Sequence, residues 1–181
     1  MAAFASILMY AEFSVPFMPF FIKLEVSDFP ALVAANIAGP VWGVAVCLIK
    51  CLLHIPVSYS GGVGELVNFV LGASFVVSAY YLSRLVKGKA GALVGGLLAA
   101  AVMALISYPM NYYITYPIYS KMMDMEEIIA AYSEILPSVT TLESALAVFN
   151  VPFNFLKGTL LTLLSMLVYT ALKPLYNKYG R

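Results

Sequence analysis

An all-α fold built of membrane-spanning helices is what this sequence predicts, and three of its features do so. Hydrophobic residues fill 62% of its 181 positions and charged residues only 10%, whereas a soluble domain carries about 25% charged residues. Mean hydropathy is +0.92. The apolar residues also fall into runs near the roughly 20 residues a helix needs to cross a hydrocarbon core of about 30 Å. Charged or Gly/Pro-rich turns separate those runs. The expectation is one polytopic domain, residues 1–181, with six transmembrane helices.

The first span is read over 1–22. It closes in the aromatic and proline-rich stretch Pro16-Phe17-Met18-Pro19-Phe20-Phe21. No basic residue precedes it and no small-residue cleavage site followed by a polar region ends it, so it reads as a membrane helix and not a cleaved leader. The charged segment from Lys23 to Asp28 belongs at an interface. Asp28 is expected to cap the next helix, 29–38, with Pro30 in its first turn. Gly39-Pro40 is a strong turn signal and separates this helix from a third over 41–54.

A loop with Pro56, Ser58, Ser60, Gly61 and Gly62 leads to a helix over 64–85, and a basic turn, Arg84 with Lys87 and Lys89, leads to a long span over 90–119. Residues 124–136 carry Asp124, Glu126, Glu127 and Glu134 among apolar residues, which predicts an amphipathic segment on the membrane surface. The last span is read over 142–172, starting beside Thr141 and stopping before Lys173-Pro174.

The basic residues at Arg84, Lys87, Lys89, Lys173, Lys178 and Arg181 share one side, and by the positive-inside rule that side is cytoplasmic. Both termini are therefore expected in the cytoplasm of a cell-membrane protein, with the loop around Glu25 and Asp28 outside.

Net charge is +1, and no Lys/Arg-rich run exists to hold a nucleic acid. Cys47 and Cys51 stand four apart on one helix face and read as small buried hydrophobes, since neither a disulfide nor a metal site fits that pairing. No metal cluster, nucleophile elbow or phosphate loop appears. Gly61-Gly62-Val63-Gly64 lacks the Lys-Ser/Thr pair of a phosphate-binding turn. Neither catalytic residues nor a cofactor is expected.

One charge stands out. Lys157 lies in the apolar stretch from Ala145 to Leu172, where an unpaired lysine costs roughly 2.5 to 3.5 kcal/mol on insertion scales. Asn154, three residues earlier, shares its helix face. Lys157 is about sixteen residues, roughly 24 Å, from Lys173, which places it in the outer third of the bilayer. Asn111 reaches a similar depth on the preceding span. With tyrosines and phenylalanines from Tyr108 to Tyr116 and Phe149 to Phe155 around them, these groups suit an outward-facing pocket with apolar walls. Its guest would be flat and polar at its edges.

The competing reading is a structural lysine, paired with a carboxylate of another helix or snorkelling to the interface. Most of the tyrosines read as an interfacial belt. His54 reads as a helix-end residue, and Lys50 as a structural partner of Glu65 or Glu12. Gly91 and Gly95, with the alanines beside them, form a small-residue stripe that packs helices.

Several segments together resemble a known family. They are Phe21-Ile22-Lys23-Leu24-Glu25-Val26-Ser27-Asp28-Phe29-Pro30-Ala31-Leu32, then Gly39-Pro40, Ile49-Lys50 with Leu52-Leu53-His54, and Gly61-Gly62-Val63-Gly64-Glu65-Leu66 with Asn68-Phe69. This combination resembles the riboflavin-binding S components of energy-coupling factor (ECF) transporters, the RibU family, over nearly the whole chain. Two departures are visible. Cys51 stands where the family often has asparagine, and the small-xxx-small motif of the first helix survives only as Ala2-x-x-x-Ser6.

The resemblance implies the six-helix S-component fold and a non-enzymatic subunit that binds riboflavin from outside. It implies Asn111, Asn154 and Lys157 as polar ligand contacts, with Leu24 and its neighbours covering the ring. It also implies partners that supply the energy: a membrane coupling protein and two ATPases. Riboflavin is neutral, so the charge of Lys157 must be answered by another group, with Glu143 and Glu65 as candidates, or by the phosphate of FMN as a second substrate. An S component for another vitamin, such as thiamine or pantothenate, and a self-sufficient carrier are the alternatives.

Overall fold

The computed structural model describes residues 1–58, 60–86 and 88–179, with side chains for all of these except residue 89 and residues 169–179. The basic groups of Lys87, Lys89, Lys173, Lys178 and Arg181 lie outside the described residues.

The chain begins with α1, Ala2–Tyr10. The single span expected over 1–22 is therefore not formed. Residues beyond α1 turn back as an antiparallel hairpin of β1 (Phe13–Ser14) and β2 (Lys23–Leu24), with Phe13 opposite Leu24 and Ser14 opposite Lys23. Pro16 and Pro19 keep the segment beyond Tyr10 from resuming a helix. Each lacks an N–H and pushes the residue before it out of the helical region. Between them Phe17 takes a left-handed backbone, φ 65°.

Helix α2 (Asp28–Ala38) follows, and Gly39 at φ 105° turns the chain into α3 (Pro40–His54), whose first residue is the proline that needs no N–H there. The cap of α2 is Ser27, not the expected Asp28, which is its first helical residue. Past a 3₁₀ turn at Ile55–Val57 comes α4 (Val63–Leu82). Helix α5 (Gly88–Met110) continues through a five-residue π-turn, Asn111–Thr115, into α6 (Tyr116–Tyr119).

The amphipathic segment is α7, Met125–Ser133. Thr141 then caps α8 (Leu142–Ala145), its hydroxyl accepting the Ser144 N–H. A second π-turn, Leu146–Asn150, joins α8 to α9 (Val151–Tyr179). Among the described residues four stretches are long and apolar enough to cross a membrane, Pro40–Val57, Val63–Leu82, Ala90–Tyr119 and Leu142–Val168, and Asp28–Ala38 is a shorter apolar helix.

Helix α5 packs on α4 and α9, and α2 packs on α3. Lipid is as apolar as leucine, so such contacts rest on close van der Waals packing. Small residues permit it. A Cβ on Gly158 would stand 2.6 Å from that of Ala100, and one on Gly43 would stand 2.7 Å from that of Ala35. The Gly91–Gly95 stripe packs within the chain, with Gly95 against the backbone of Ser83. Phe75, Met103 and Leu161 fill the centre of the bundle. A second core, including Ile128, Tyr132, Leu146 and Phe149, seats α7 on the end of the bundle that carries the hairpin.

Candidate ligand-binding site

Two wide turns shape that end. In α5 the Tyr116 N–H reaches the carbonyl of Asn111, and in α9 the Val151 N–H reaches that of Leu146. Each i→i+5 bond stands one residue before a proline, Pro117 or Pro152. A proline cannot donate to the carbonyl four residues back, here Tyr113 or Val148, so the helix widens to pair its neighbour differently. Both turns put an asparagine, Asn111 or Asn150, against the space between α5 and α9.

That space is a cavity of about 160 Å³ lined by Asn111, Thr115, Asn150, Asn154 and Lys157 on one side and by Phe21, Ile22 and Lys23 of the hairpin on another. A larger cavity of about 580 Å³ adjoins it and shares Phe21, Lys23, Gly64, Asn68 and Tyr119. Met9, Phe20, Met122, Met123 and Ile128 give the larger cavity its apolar wall. Together the two fall within the roughly 300–1,000 Å³ of small-molecule pockets.

Sequence reasoning singled out Asn111, Asn154 and Lys157, and all three line the smaller cavity. Each asparagine gives one amide hydrogen to the carbonyl a turn earlier, Asn111 to Ser107 and Asn154 to Asn150, both at 2.8 Å. Those bonds fix the side chains and engage one amide hydrogen of each. The Thr115 hydroxyl, on the same wall, is buried with no hydrogen-bond partner among the described residues. Buried polar groups are otherwise almost always satisfied. Leu24 is half-buried in the hairpin, one residue beyond the Phe21–Lys23 wall.

Lys157 is answered by neither Glu143 nor Glu65. Its ammonium lies 2.5 Å from Glu25 Oε1 and 3.4 Å from Asp28 Oδ2. Glu65 instead binds His54 Nδ1 at 2.8 Å and the Ser58 hydroxyl at 2.6 Å. Glu143 is bonded by the exposed Tyr112 hydroxyl at 3.1 Å. Lys50, expected beside Glu65 or Glu12, is wholly buried and pairs with Asp28 Oδ1 at 2.5 Å, with Ser27 Oγ, and with Glu25 Oε1 at 3.9 Å. The reason for all three corrections is the hairpin. By ending α1 early it brings Glu25 and Asp28 into the bundle, where a 1–22 helix would have left them in an external loop.

The result is a buried quartet of two lysines and two carboxylates. Glu25 is its hub, also accepting the Asn68 amide at 2.9 Å and the Ser27 N–H at 2.5 Å. Burial works against its ionisation, but the ammonium groups of Lys157 and Lys50 outweigh that and hold its carboxyl well below the usual range. Asp28 presses on α4 at Gly72, where an added Cβ would come within 2.3 Å of Oδ1.

Sequence reasoning missed Asn150, which lines the smaller cavity, and Tyr132, which holds Asn150 in place. Tyr132 donates to Asn150 Oδ1 at 2.7 Å and shares a short hydrogen bond with the Tyr116 hydroxyl. This locks α7 onto α6 and α9. Tyr116 is thereby a core residue rather than part of an interfacial belt, whereas Tyr113 is exposed. Phe21 meets Tyr132 edge-on at 5.7 Å, so hairpin and α7 close over the cavity together. The signals in the sequence were Pro117 and Pro152, each following an asparagine-bearing turn.

The sequence profile described as ECF transporter, substrate-specific component, matches residues 1–169. The chain is 30% identical over 172 residues to Riboflavin transporter RibU of Staphylococcus aureus (strain TCH60), covering 95% of this chain and 86% of that one. It is also 30% identical to Riboflavin transporter FmnP of Bacillus subtilis (strain 168), covering 96% and 88%. Among solved structures it superposes on the one titled "Structure and mechanism of the S component of a bacterial ECF transporter" with TM-score 0.76 and 28% identity, covering 96% of this chain and 90% of that one.

Proposed function

Because the chain belongs to the substrate-specific components of ECF transporters, we propose that it is the membrane subunit that captures riboflavin from outside the cell for such an importer. The observation that carries this reading is the cavity in which Asn111, Thr115, Asn154 and Lys157 share one wall. An isoalloxazine ring offers carbonyl and imide groups on one edge and an apolar body, and the ribityl chain offers hydroxyls. A wall of amides and one ammonium, facing methionine and phenylalanine side chains, complements both.

Lys157 acts as a donor to a neutral ligand, since Glu25 and Asp28 already supply its counter-charge. Asn111 and Asn154 present amide oxygens and hydrogens, and the hairpin with Leu24 covers the bound ring. No bond of the ligand is made or broken. A membrane coupling protein and two ATPases drive release inward. Helices α1 and α2, at nine and eleven residues too short to cross a bilayer by themselves, join the four longer spans to make a six-helix set, and both termini face the cytoplasm.

Equilibrium titration of the purified protein, followed by quenching of flavin fluorescence, tests the reading. We expect saturable riboflavin binding below micromolar concentration, not displaced by thiamine or pantothenate. Absence of riboflavin binding at micromolar concentration would overturn it. Uptake by proteoliposomes holding this chain alone would favour a self-sufficient carrier instead.

A further inference from the structure

Resting on the riboflavin reading, we propose that Lys50 is a positioning residue for ligand binding: by occupying Asp28 it keeps the ammonium of Lys157 available to the cavity. Lys50 is wholly buried on α3 and lines neither cavity. Lys157, on α9, lines the smaller one. The two lysines are linked through the carboxylates they share.

Asp28 divides between them. Its Oδ1 takes Lys50 at 2.5 Å, while its Oδ2 stands 3.4 Å from Lys157. Lys50 also donates to the Ser27 hydroxyl and lies 3.9 Å from Glu25 Oε1, beyond hydrogen-bond reach. Lys157 gives a hydrogen bond to that same Glu25 oxygen at 2.5 Å. An ammonium has three N–H groups. With one on Glu25 and the looser Asp28 contact engaging one more, a third is left for a ligand.

Removing the charge of Lys50 would upset this division. Two buried carboxylates would then face one ammonium, and Asp28 would have Lys157 as its remaining cation among the described residues. Cys47 Sγ, 3.8 Å from Asp28 Oδ1, is only a weak donor. A buried carboxylate without a counter-charge is costly, and a hydrogen bond to a charged acceptor is about twice as strong as one to a neutral oxygen. Asp28 would therefore win Lys157 from a neutral ligand. With Lys50 in place the quartet is balanced, and Lys157 can serve the ligand without leaving a carboxylate unanswered.

Riboflavin titration and thermal melting of the same purified variants test this. We expect Lys50→Met to bind riboflavin at least about tenfold more weakly than the wild type, a loss of about 1.4 kcal/mol. The double variant Lys50→Met/Asp28→Asn removes the pair together and restores the balance of Glu25 with Lys157, so it should bind at least about threefold more tightly than Lys50→Met. Asp28→Asn alone turns Lys50 toward Glu25, in competition with Lys157, so the double variant should bind more tightly than this single one as well. That second comparison stands where Lys50→Met fails to fold. A purely structural Lys50 would lower the melting temperature and leave riboflavin affinity at the wild-type level, and that result overturns the proposal. So does a double variant that binds no more tightly than the single ones, which would make the loss one of packing instead of charge. Absence of riboflavin binding by the wild type overturns instead the functional reading beneath it.

Discussion

Lys157 of α9 and Glu25 of the loop before α2 are 132 residues apart in the chain and 2.5 Å apart in space. Their ion pair joins the N-terminal part of α9 to the segment beside the cavity, so the lysine proposed to contact the ligand also has the structural duty of holding a carboxylate.

Those duties separate in a mutant cycle. Lys157→Met removes the ammonium nearest Glu25 and leaves Lys50, at 3.9 Å, as its remaining counter-charge among the described residues. Riboflavin affinity should fall at least tenfold, about 1.4 kcal/mol, and the melting temperature in detergent should drop as well, because breaking one side of a buried pair costs about 3–5 kcal/mol. Adding Glu25→Gln to Lys157→Met should recover part of the stability and none of the binding. Recovery of both would make Lys157 a purely structural lysine.

Gly72→Ala tests the seat of Asp28. The new Cβ would meet Asp28 Oδ1 at 2.3 Å, so either α2 moves off α4 or the carboxylate leaves Lys50. Overpacking of this kind costs about 1–3 kcal/mol. A thermal-shift measurement should show that loss, whereas Gly61→Ala, at φ 62° but with open space around it, should lose less.

Acid should loosen the same region. The carboxyl of Glu25 is held well below the usual range in the folded protein, so its contribution is fully present above the ordinary glutamate pKa of about 4.3 and is lost as pH falls below that toward the folded value. Melting temperature should therefore decline between about pH 5 and pH 3. The Glu25→Gln protein should show a shallower decline over the same range, read by the same thermal scan.

Tyr132→Phe would leave the Asn150 oxygen and the Tyr116 hydroxyl each short of a buried partner. A loss of about 1–3 kcal/mol is expected. Amide exchange should quicken in α7 more than in the contact of α4 with α5, because Tyr132 ties α7 to the bundle.

Much of the helical frame was legible in the sequence. The turns at Gly39-Pro40 and around Gly61-Gly62, the Thr141 start of the last span and the amphipathic 124–136 segment are all local chemistry, written in one residue or a short run. What was not legible depends on contacts between distant segments. Nothing within ten residues of Glu25 points to Lys157 or Lys50, and the hairpin that carries it inward looks, residue by residue, like the end of an apolar helix. Pro16 and Pro19 were the available warning. Asn111, Asn154 and Lys157 were singled out because a charge or amide in an apolar span must be answered, and the fold brings all three to one cavity. Asn150 escaped because its partners are distant in sequence, Tyr116 among the tyrosines read as a belt and Tyr132 within the amphipathic 124–136 segment.

The two π-turns carry a further meaning for the geometry of α5 and α9. Each accommodates one residue more than an α-helical turn, and one residue corresponds to about 100° of rotation. The portion of each helix beyond its wide turn is thus aimed independently of the portion within the bundle. Shortening either turn by one residue would keep both halves helical while swinging Asn111 or Asn150 off the cavity, so the direction in which these amides point is encoded in chain length as much as in side-chain identity.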